Sequence, residues 1–412
     1  MGNKKALIFI PEFPVLTETF IEREVSKLSE RGNVDVVVFS ILKGKGSVSS
    51  ELNGKIVYSR PAVLDILESA FFVISKFRKI KSAFSNFISI ENTGASPDVI
   101  ANQASFGKKL YVFLKSVLYA HKFSKLNPNI ILAHFLSEPS TIAMIIANIL
   151  EVPYIISAHA KDITVNSEYV EEKVKTAKYI TICNKNAYQN VLSWANKLGK
   201  NNVVLAYHGV DTYKISQIPE KANLDVKRPY MLSVGRLVEK KGLVYLIEAI
   251  KILKNKGILI NSAIIGSGPL YEVLVEKIKE LGLVETVKII GENKGLSNEE
   301  TLSYYKSADF LVFPSIQTKE GDVDGIANVL FEAGAFKLPV IATDAGSTNE
   351  LIIDNLTGLV CRQKDPTCLA DKIEELVNNK EKAKILGENL YNKVKEDFSL
   401  DKNIEKLEQM LL

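Results

Sequence analysis

The chain has 412 residues, 46% of them hydrophobic, and 52 lysines and arginines against 48 acids leave a formal charge of +4. That length exceeds one ordinary hydrophobic core, so two domains are expected. So small a charge gives no support to a nucleic-acid partner.

Residues 5–10 read as a first strand that stops at Pro11; the run is too short for a secretory signal, which points to a cytoplasmic protein. Residues 11–18 read as a loop. A helix follows from Thr19, with Glu22 three residues on as a capping box, and Ile21, Val25 and Leu28 form its apolar stripe. Gly32 ends it, and residues 34–40 form a second strand. This βαβ opening starts a doubly wound sheet.

Residues 64–90 and 108–126 interleave apolar side chains with Lys76, Arg78, Lys79, Lys81, Lys108, Lys109, Lys115, Lys122 and Lys125, against only Asp65 and Glu68. Two readings stand side by side. One is a pair of basic amphipathic helices on an anionic membrane surface, which would make the protein peripheral to the inner face of the plasma membrane. The other is a pair of ordinary domain helices with solvated lysines. The weakly charged window 131–150 contains His134, Glu138, Pro139 and Asn148, and so reads as strand, loop and helix, not as a membrane span.

From residue 129 strands and helices alternate regularly, with strands expected at 130–135, 153–159, 179–183 and 203–207. A first domain over residues 1–210 follows, then a polar linker at 216–228. The second domain, 211–397, repeats the plan with strands at 230–234, 262–265, 287–290, 309–313 and 339–342. The final segment, 398–412, reads as a helix that packs back on the first domain. Two facing Rossmann-like domains result, an α/β architecture whose ligands bind past the carboxyl ends of the strands, in the cleft.

The chemistry concentrates in the second half. Arg236 lies just past a strand and Lys241 at the next helix start, a place suited to a diphosphate. Gly266 and Gly268 form a strand-to-helix turn without the full dinucleotide fingerprint, read as a turn beside a nucleotide with a purely structural turn as the alternative. Asp324 and Gly325 precede a helix expected to begin near Ile326. Asp324 would then sit at that helix's N-terminus, with Glu332 about 12 Å along the axis. In the first half, His159 at a strand end suits a sugar hydroxyl or a phosphate oxygen, whereas His134 reads as a satisfied sheet-edge histidine. The pair Asp322 and Asp324 has the look of a divalent-ion motif, but the nearby cations can neutralise a diphosphate, so no metal is expected. Cys183, Cys361 and Cys368 lack metal spacing and read as buried reduced thiols.

Several stretches together resemble one family across nearly the whole chain: FPVLTETFI at 13–21, HAKDI at 159–163, HGVD at 208–211, SVGRLVEKKG at 233–242, GSGP at 266–269, DGIANVLFEA at 324–333 and LPVIATDAGSTNEL at 338–351. They are similar to the retaining glycosyltransferases of the GT-B fold, family 4, in the capsule, exopolysaccharide and colanic-acid branch. The resemblance implies retaining, metal-independent transfer of a hexose from a UDP- or GDP-sugar, UDP ahead of GDP, to a glycan acceptor that is lipid-linked. It implies that Arg236 and Lys241 bind the donor's phosphates and that Glu332 binds its ribose. Backbone amides at Gly325, Ile326 and Ala327 would hold sugar or phosphate oxygens, His159 would touch the transferred sugar, and the loop after Gly291 would flank the base. Asp324 stands where the family carries a glutamate, and residues 11–18 replace a Gly-Gly loop, leaving Glu12, Thr17 and Glu18 as acceptor-side candidates. Two alternatives share the fold: a degenerate protein that binds nucleotide sugar or glycan, and a nucleotide-sugar epimerase.

Overall fold

A computed structural model describes residues 3–15, 18–59, 62–94, 105–159, 162–163, 166–218, 227–292 and 295–412. The chain divides into two compact units, Met1–His208 with Asp401–Leu412, and Gly209–Leu400. Each is built on a wholly parallel sheet, with helices between successive strands.

The strands of the first unit are β1 (Lys4–Phe13), β2 (Val34–Lys43), β3 (Ile56–Tyr58), β4 (Ile130–His134), β5 (Tyr154–Ala158), β6 (Tyr179–Ile182) and β7 (Val203–Leu205), in spatial order β3-β2-β1-β4-β5-β6-β7. Its helices are α1 (Thr19–Arg31), α2 (Ala62–Ser75), α3 (Phe77–Ser89), α4 (Phe106–Leu126), α5 (Glu138–Leu150), α6 (Val170–Thr176) and α7 (Lys185–Lys197). Near-continuous apolar runs such as Ile130–His134, buried throughout, are what a parallel strand covered on both faces requires.

The second unit repeats this arrangement. Its strands are β8 (Tyr230–Val234), β9 (Asn261–Ile265), β10 (Val287–Ile290), β11 (Phe310–Phe313), β12 (Val340–Thr343) and β13 (Leu359–Cys361), in order β10-β9-β8-β11-β12-β13. The helices are α8 (Thr212–Ser216), α9 (Leu243–Asn255), α10 (Tyr271–Glu280), α11 (Asn298–Tyr305), α12 (Asn328–Ala335), α13 (Pro366–Asn378), α14 (Lys380–Asp397) and α15 (Leu400–Leu411). The order reverses at β8, placing the loops after β8 and β11 side by side at a switch point.

From Asp401 onward α15 belongs to the first unit. There Glu408 accepts from Arg31 at 3.2 Å and Asn33 at 3.1 Å, and Lys178 donates to the Met410 carbonyl at 2.8 Å.

Five local expectations are corrected. First, β1 does not stop at Pro11 but runs to Phe13, because beyond Phe9 it pairs only with β2, leaving no second neighbour to miss proline's absent N–H. Second, the capping box at Thr19 does not form, since Glu22 turns away to accept from the Ser49 backbone at 3.0 Å and from Ser26 at 2.9 Å. Third, residues 64–90 hold two helices, broken at Lys76. Fourth, Cys361 and Cys368 form a disulfide, because the end of β13 and the first turn of α13 bring their Cα atoms to 5.8 Å, while Cys183 is buried and reduced. Fifth, α12 begins at Asn328, with Ala327 as N-cap, two residues later than expected. Part of the expected linker, at 219–226, lies outside the described residues.

Candidate functional site

The second unit assembles its cluster from four strand ends. After β8 the chain turns at Gly235, passes the exposed Arg236 and enters a short 3-10 turn, Glu239–Lys241. Gly242 then takes the left-handed conformation, φ 60°, and packs so closely on the turn after β11 that a side chain would strike the Pro314 carbonyl. A backbone hydrogen bond from Ile316 to the Lys240 carbonyl, 2.8 Å, ties the same two loops. The glycine-rich turn after β9 joins them from the other side. Leu237 donates to the Ser267 carbonyl at 2.9 Å, and side chains at Gly266 or Gly268 would collide with Gly235 and Leu237 backbone. Gly291, after β10, packs on Gly266 in turn. The residues Arg236, Gly266, Gly268 and Gly291 are thus brought to one end of one sheet.

Asp324 meets the lysines of this turn. Its Oδ2 lies 2.7 Å from Lys241 Nζ and its Oδ1 3.3 Å from Lys240 Nζ; Lys240 also reaches Asp322 Oδ1 at 3.0 Å. Burial alone pushes the Asp324 carboxyl up, but the charges of Lys241 and Lys240 outweigh it and hold the group below the usual aspartate range. Lys241 Nζ also stands 5.0 Å over the Phe313 ring. Arg236 makes no ion pair among the described residues, so of the two expected phosphate ligands one is committed to a carboxylate and the other is not.

Two placements differ from the sequence expectation. Asp324, Gly325, Ile326 and Ala327 lie on the loop before α12, so Asp324 is neutralised by lysines and not by a helix terminus. Glu332 does sit in α12 but is only 4% exposed, and it accepts a hydrogen bond from Tyr305 at 3.0 Å. Burial, then the neighbouring Glu332 charge, raises the Tyr305 phenol well above its ordinary range, so it stays a donor. The two carboxylates therefore sit in different surroundings and not along one helix. Sequence reading missed Lys240, Tyr305 and Gly346. At Gly346, φ 61°, a side chain would strike the Asp324 carbonyl.

In the first unit, His159 follows β5 and is 7% exposed. Its backbone N–H donates to Asp162 at 2.8 Å, and the same carboxylate accepts from the Leu136 N–H. Lys173, fully buried, holds the adjoining turn by donating to the Leu136 and Ser137 carbonyls at 2.8 and 3.0 Å. The imidazole faces two others: Nδ1 lies 3.0 Å from His208 Nε2, and Nε2 lies 3.4 Å from His134 Nδ1. Glu24, on α1, lies near both, 3.9 Å from His134 Nε2 and 4.0 Å from His208 Nδ1, beyond hydrogen-bond distance.

Burial drives the proton balance of this cluster. It lowers His134 and His208 to about 3 and raises Glu24 to about 7; for His159, burial and then the His208 and His134 neighbours push the ring well below its ordinary value. The imidazoles are therefore neutral, each offering one N–H and one lone pair. Contact between His159 and a sugar requires one of its nitrogens to leave a histidine. His134 is a member of this cluster and not merely an edge residue. Among the described residues, ligand atoms of His159, Cys183 and His208 lie within 4.8 Å of one another, a donor set suited to a soft divalent ion, although the imidazole contacts already satisfy those nitrogens.

On the acceptor side, Glu12 is exposed at the end of β1, paired in register with Leu42, and Glu18 is the N-cap of α1 without a side-chain cap bond. Thr17, and the centre of the loop after Gly291, lie outside the described residues.

Residues 214–393 match the family Glycosyl transferases group 1. An uncharacterised glycosyltransferase of Methanocaldococcus jannaschii is 29% identical over 63% of this chain and 69% of its own. The amylovoran biosynthesis glycosyltransferase AmsK of Erwinia amylovora is 38% identical over 37% of this chain and 38% of its own. The putative colanic acid biosynthesis glycosyltransferase WcaL of Escherichia coli is 31% identical over 44% of each chain. The chain thus spans less than half the length of these last two relatives. Among solved structures, a glycosyltransferase of Rickettsia africae covers 100% of this chain and 98% of its own, with TM-score 0.69 and 16% identity. Anabaena HepE in complex with UDP covers 99% of both, with TM-score 0.66 and 14% identity. The match to group 1 glycosyl transferases spans residues 214–393, under half of the chain, and the two parallel-sheet α/β domains have the GT-B fold of the solved structures.

Proposed function

We propose that this chain is a retaining hexosyltransferase of capsule or exopolysaccharide synthesis. It takes a nucleoside diphosphate sugar, UDP ahead of GDP, and delivers the sugar to a lipid-linked glycan without a metal. The observation that carries this reading is the junction of the Arg236–Lys241 turn, the Gly266–Gly268 turn and the Asp322–Asp324 loop at one sheet end. Relatives named for amylovoran and colanic acid synthesis, and a fold neighbour solved with UDP, support it.

Arg236 and Lys241 receive the diphosphate and stabilise the charge that builds on it as the glycosidic bond breaks. The acceptor hydroxyl attacks the oxocarbenium-like sugar on the face the diphosphate leaves, and its proton goes to the departing phosphate oxygen. Configuration is retained and no group needs to be supplied from elsewhere. Positioning provides most of the remaining acceleration. With donor and acceptor supplied together, wild-type turnover is expected to exceed that of Lys241→Ala by about 100-fold, the usual scale for losing one such electrostatic contact. Equal rates would overturn the assignment.

A second reading has its own observation: both Asp324 oxygens are occupied by lysines. On that reading the protein binds the donor without transferring it, and Asp324→Glu creates activity that wild type lacks. Donor turnover without any acceptor would instead indicate epimerisation.

The membrane component rests on the first unit. Phe71, Ile74 and Phe77 on α2 and α3, with Phe106, Tyr111 and Leu114 on α4, are exposed, Phe71 to 80%, beside the exposed cations Arg78 and Lys81. No helix among the described residues is long and apolar enough to cross a membrane. An anionic surface that receives these aromatics and cations matches their chemistry. Flotation with phosphatidylglycerol vesicles is expected to carry wild type but not a Phe71→Ser, Phe77→Ser, Phe106→Ser variant; co-flotation of both would contradict the assignment.

A further inference from the structure

Lys240 sits beside Lys241 and reaches the same carboxylate, but carries a second acid partner. It is 7% exposed, its carbonyl is tied to Ile316, and its ammonium bridges Asp322 and Asp324. A lysine this deep is tolerated only with paired charge around it. The two lysines on Asp324 differ in their commitments. Lys240 has a second carboxylate in Asp322, whereas Lys241 has only Asp324 among the described residues. A diphosphate arriving at the strand ends therefore competes with Asp324 for Lys241, and Lys240 is left as the cation that remains.

We propose that Lys240 is a positioning residue for transfer: by bridging Asp322 and Asp324 it holds the Asp324 carboxylate in place when a donor diphosphate draws Lys241 away. The proposal rests on the nucleotide-sugar reading above. It explains how a side chain one methylene shorter than glutamate is kept at a fixed point, gripped from below by Lys240 and fixed at its backbone by the close approach of Gly346. The charged groups facing Asp324 are Lys241 and Lys240, with Asp322 on its own loop, and both lysines act to keep it ionised.

The test compares wild type with Lys240→Met, Lys240→Arg, Lys241→Met and Asp322→Asn. Calorimetry with UDP as probe reads phosphate binding, and UDP release from UDP-glucose over a pH series reads turnover. Lys240→Met is expected to bind UDP within about 3-fold of wild type while Lys241→Met weakens it at least about 10-fold, one charge-assisted contact. Turnover by Lys240→Met is expected to fall about 30-fold, the scale of a misplaced catalytic group, with its acid limb moved to higher pH. Lys240→Arg restores most of the rate, and Asp322→Asn, which removes a neighbouring negative charge and leaves Lys240 to Asp324 alone, shows a smaller loss with the acid limb moved to lower pH. UDP binding lost in Lys240→Met as fully as in Lys241→Met would make Lys240 a phosphate ligand and overturn the proposal. So would an unshifted pH profile in both Lys240→Met and Asp322→Asn. If wild type binds neither UDP nor GDP, the transferase reading fails, and melting then judges the bridge alone. Loss of Lys240 should lower Tm at pH 7 by an amount that shrinks as Asp324 protonates; a deficit independent of pH would overturn it.

Discussion

In the first unit Glu24 and His208, both largely buried, lie with the buried His134 and His159, and burial favours the neutral form of all four, whereas in the second unit Lys240 and Lys241 pair with Asp322 and Asp324 and hold the Asp324 carboxyl below the usual aspartate range. Burial acts on both clusters in the same direction, against charge. The difference is the partner. No cation accompanies Glu24 at salt-bridge distance among the described residues, so desolvation decides its protonation; Asp324 has two lysines within 3.3 Å, so Coulomb attraction does. A neutral cluster suits uncharged sugar hydroxyls and an ionic one suits a diphosphate, and the transfer reading divides the work accordingly.

The sharpest way to break this comparison is Lys241→Met, which leaves Asp324 with one cation and the diphosphate with one fewer. Its transfer rate should fall about 100-fold, measured as UDP release with donor and acceptor present. A smaller effect is expected from His208→Ala, which strips His159 Nδ1 of its 3.0 Å partner inside a buried cluster. Stability should drop by about 1–3 kcal/mol in denaturant unfolding, the cost of a buried polar group left unsatisfied. An unchanged midpoint would show that the imidazoles do not depend on one another.

The smallest effect separates the clusters by pH. The Glu24 carboxyl is raised, so the folded state binds its proton more tightly than the unfolded state; its stabilising contribution is present below about 4.5 and lost as pH rises through about 7. Glu24→Gln, which cannot ionise, should therefore gain stability relative to wild type between pH 5 and 8, on the order of 2 kcal/mol. Asp324 is lowered, so its contribution is present above the ordinary aspartate range and lost as pH falls through its folded value. Asp324→Asn should accordingly lose stability at pH 7, and the loss should shrink as pH falls below the ordinary aspartate range. Parallel pH curves for the two variants would erase the distinction.

Local pattern revealed much of this molecule and tertiary contact decided the rest. Apolar runs and glycine punctuation foretold the parallel strands except the edge strands β3 and β13, and the spacing from strand end to Lys241 placed the cation turn. Asp324 was legible as an acid ahead of a helix but not its setting: such an acid looks like a cap, yet two lysines from another loop claim it first. Lys240 was invisible because a lysine beside a lysine looks like solvated surface, and only the parallel order β8-β11 brings Asp322 over it. The same holds for the histidines. Nothing in the sequence joins positions 24, 134, 159 and 208, whereas α1, β4, β5 and the turn after β7 deliver them to one place. The disulfide was hidden because six residues lie between Cys361, at a strand end, and Cys368, at a helix start.

Titrating wild type and Lys241→Met with UDP and with GDP tests the central claim most directly, since it asks whether the cations after β8 hold a nucleoside diphosphate. Wild type should bind one of the two, and Lys241→Met should bind the same nucleotide at least about 10-fold more weakly. Binding of neither nucleotide by wild type, or equal binding by both proteins, would contradict it.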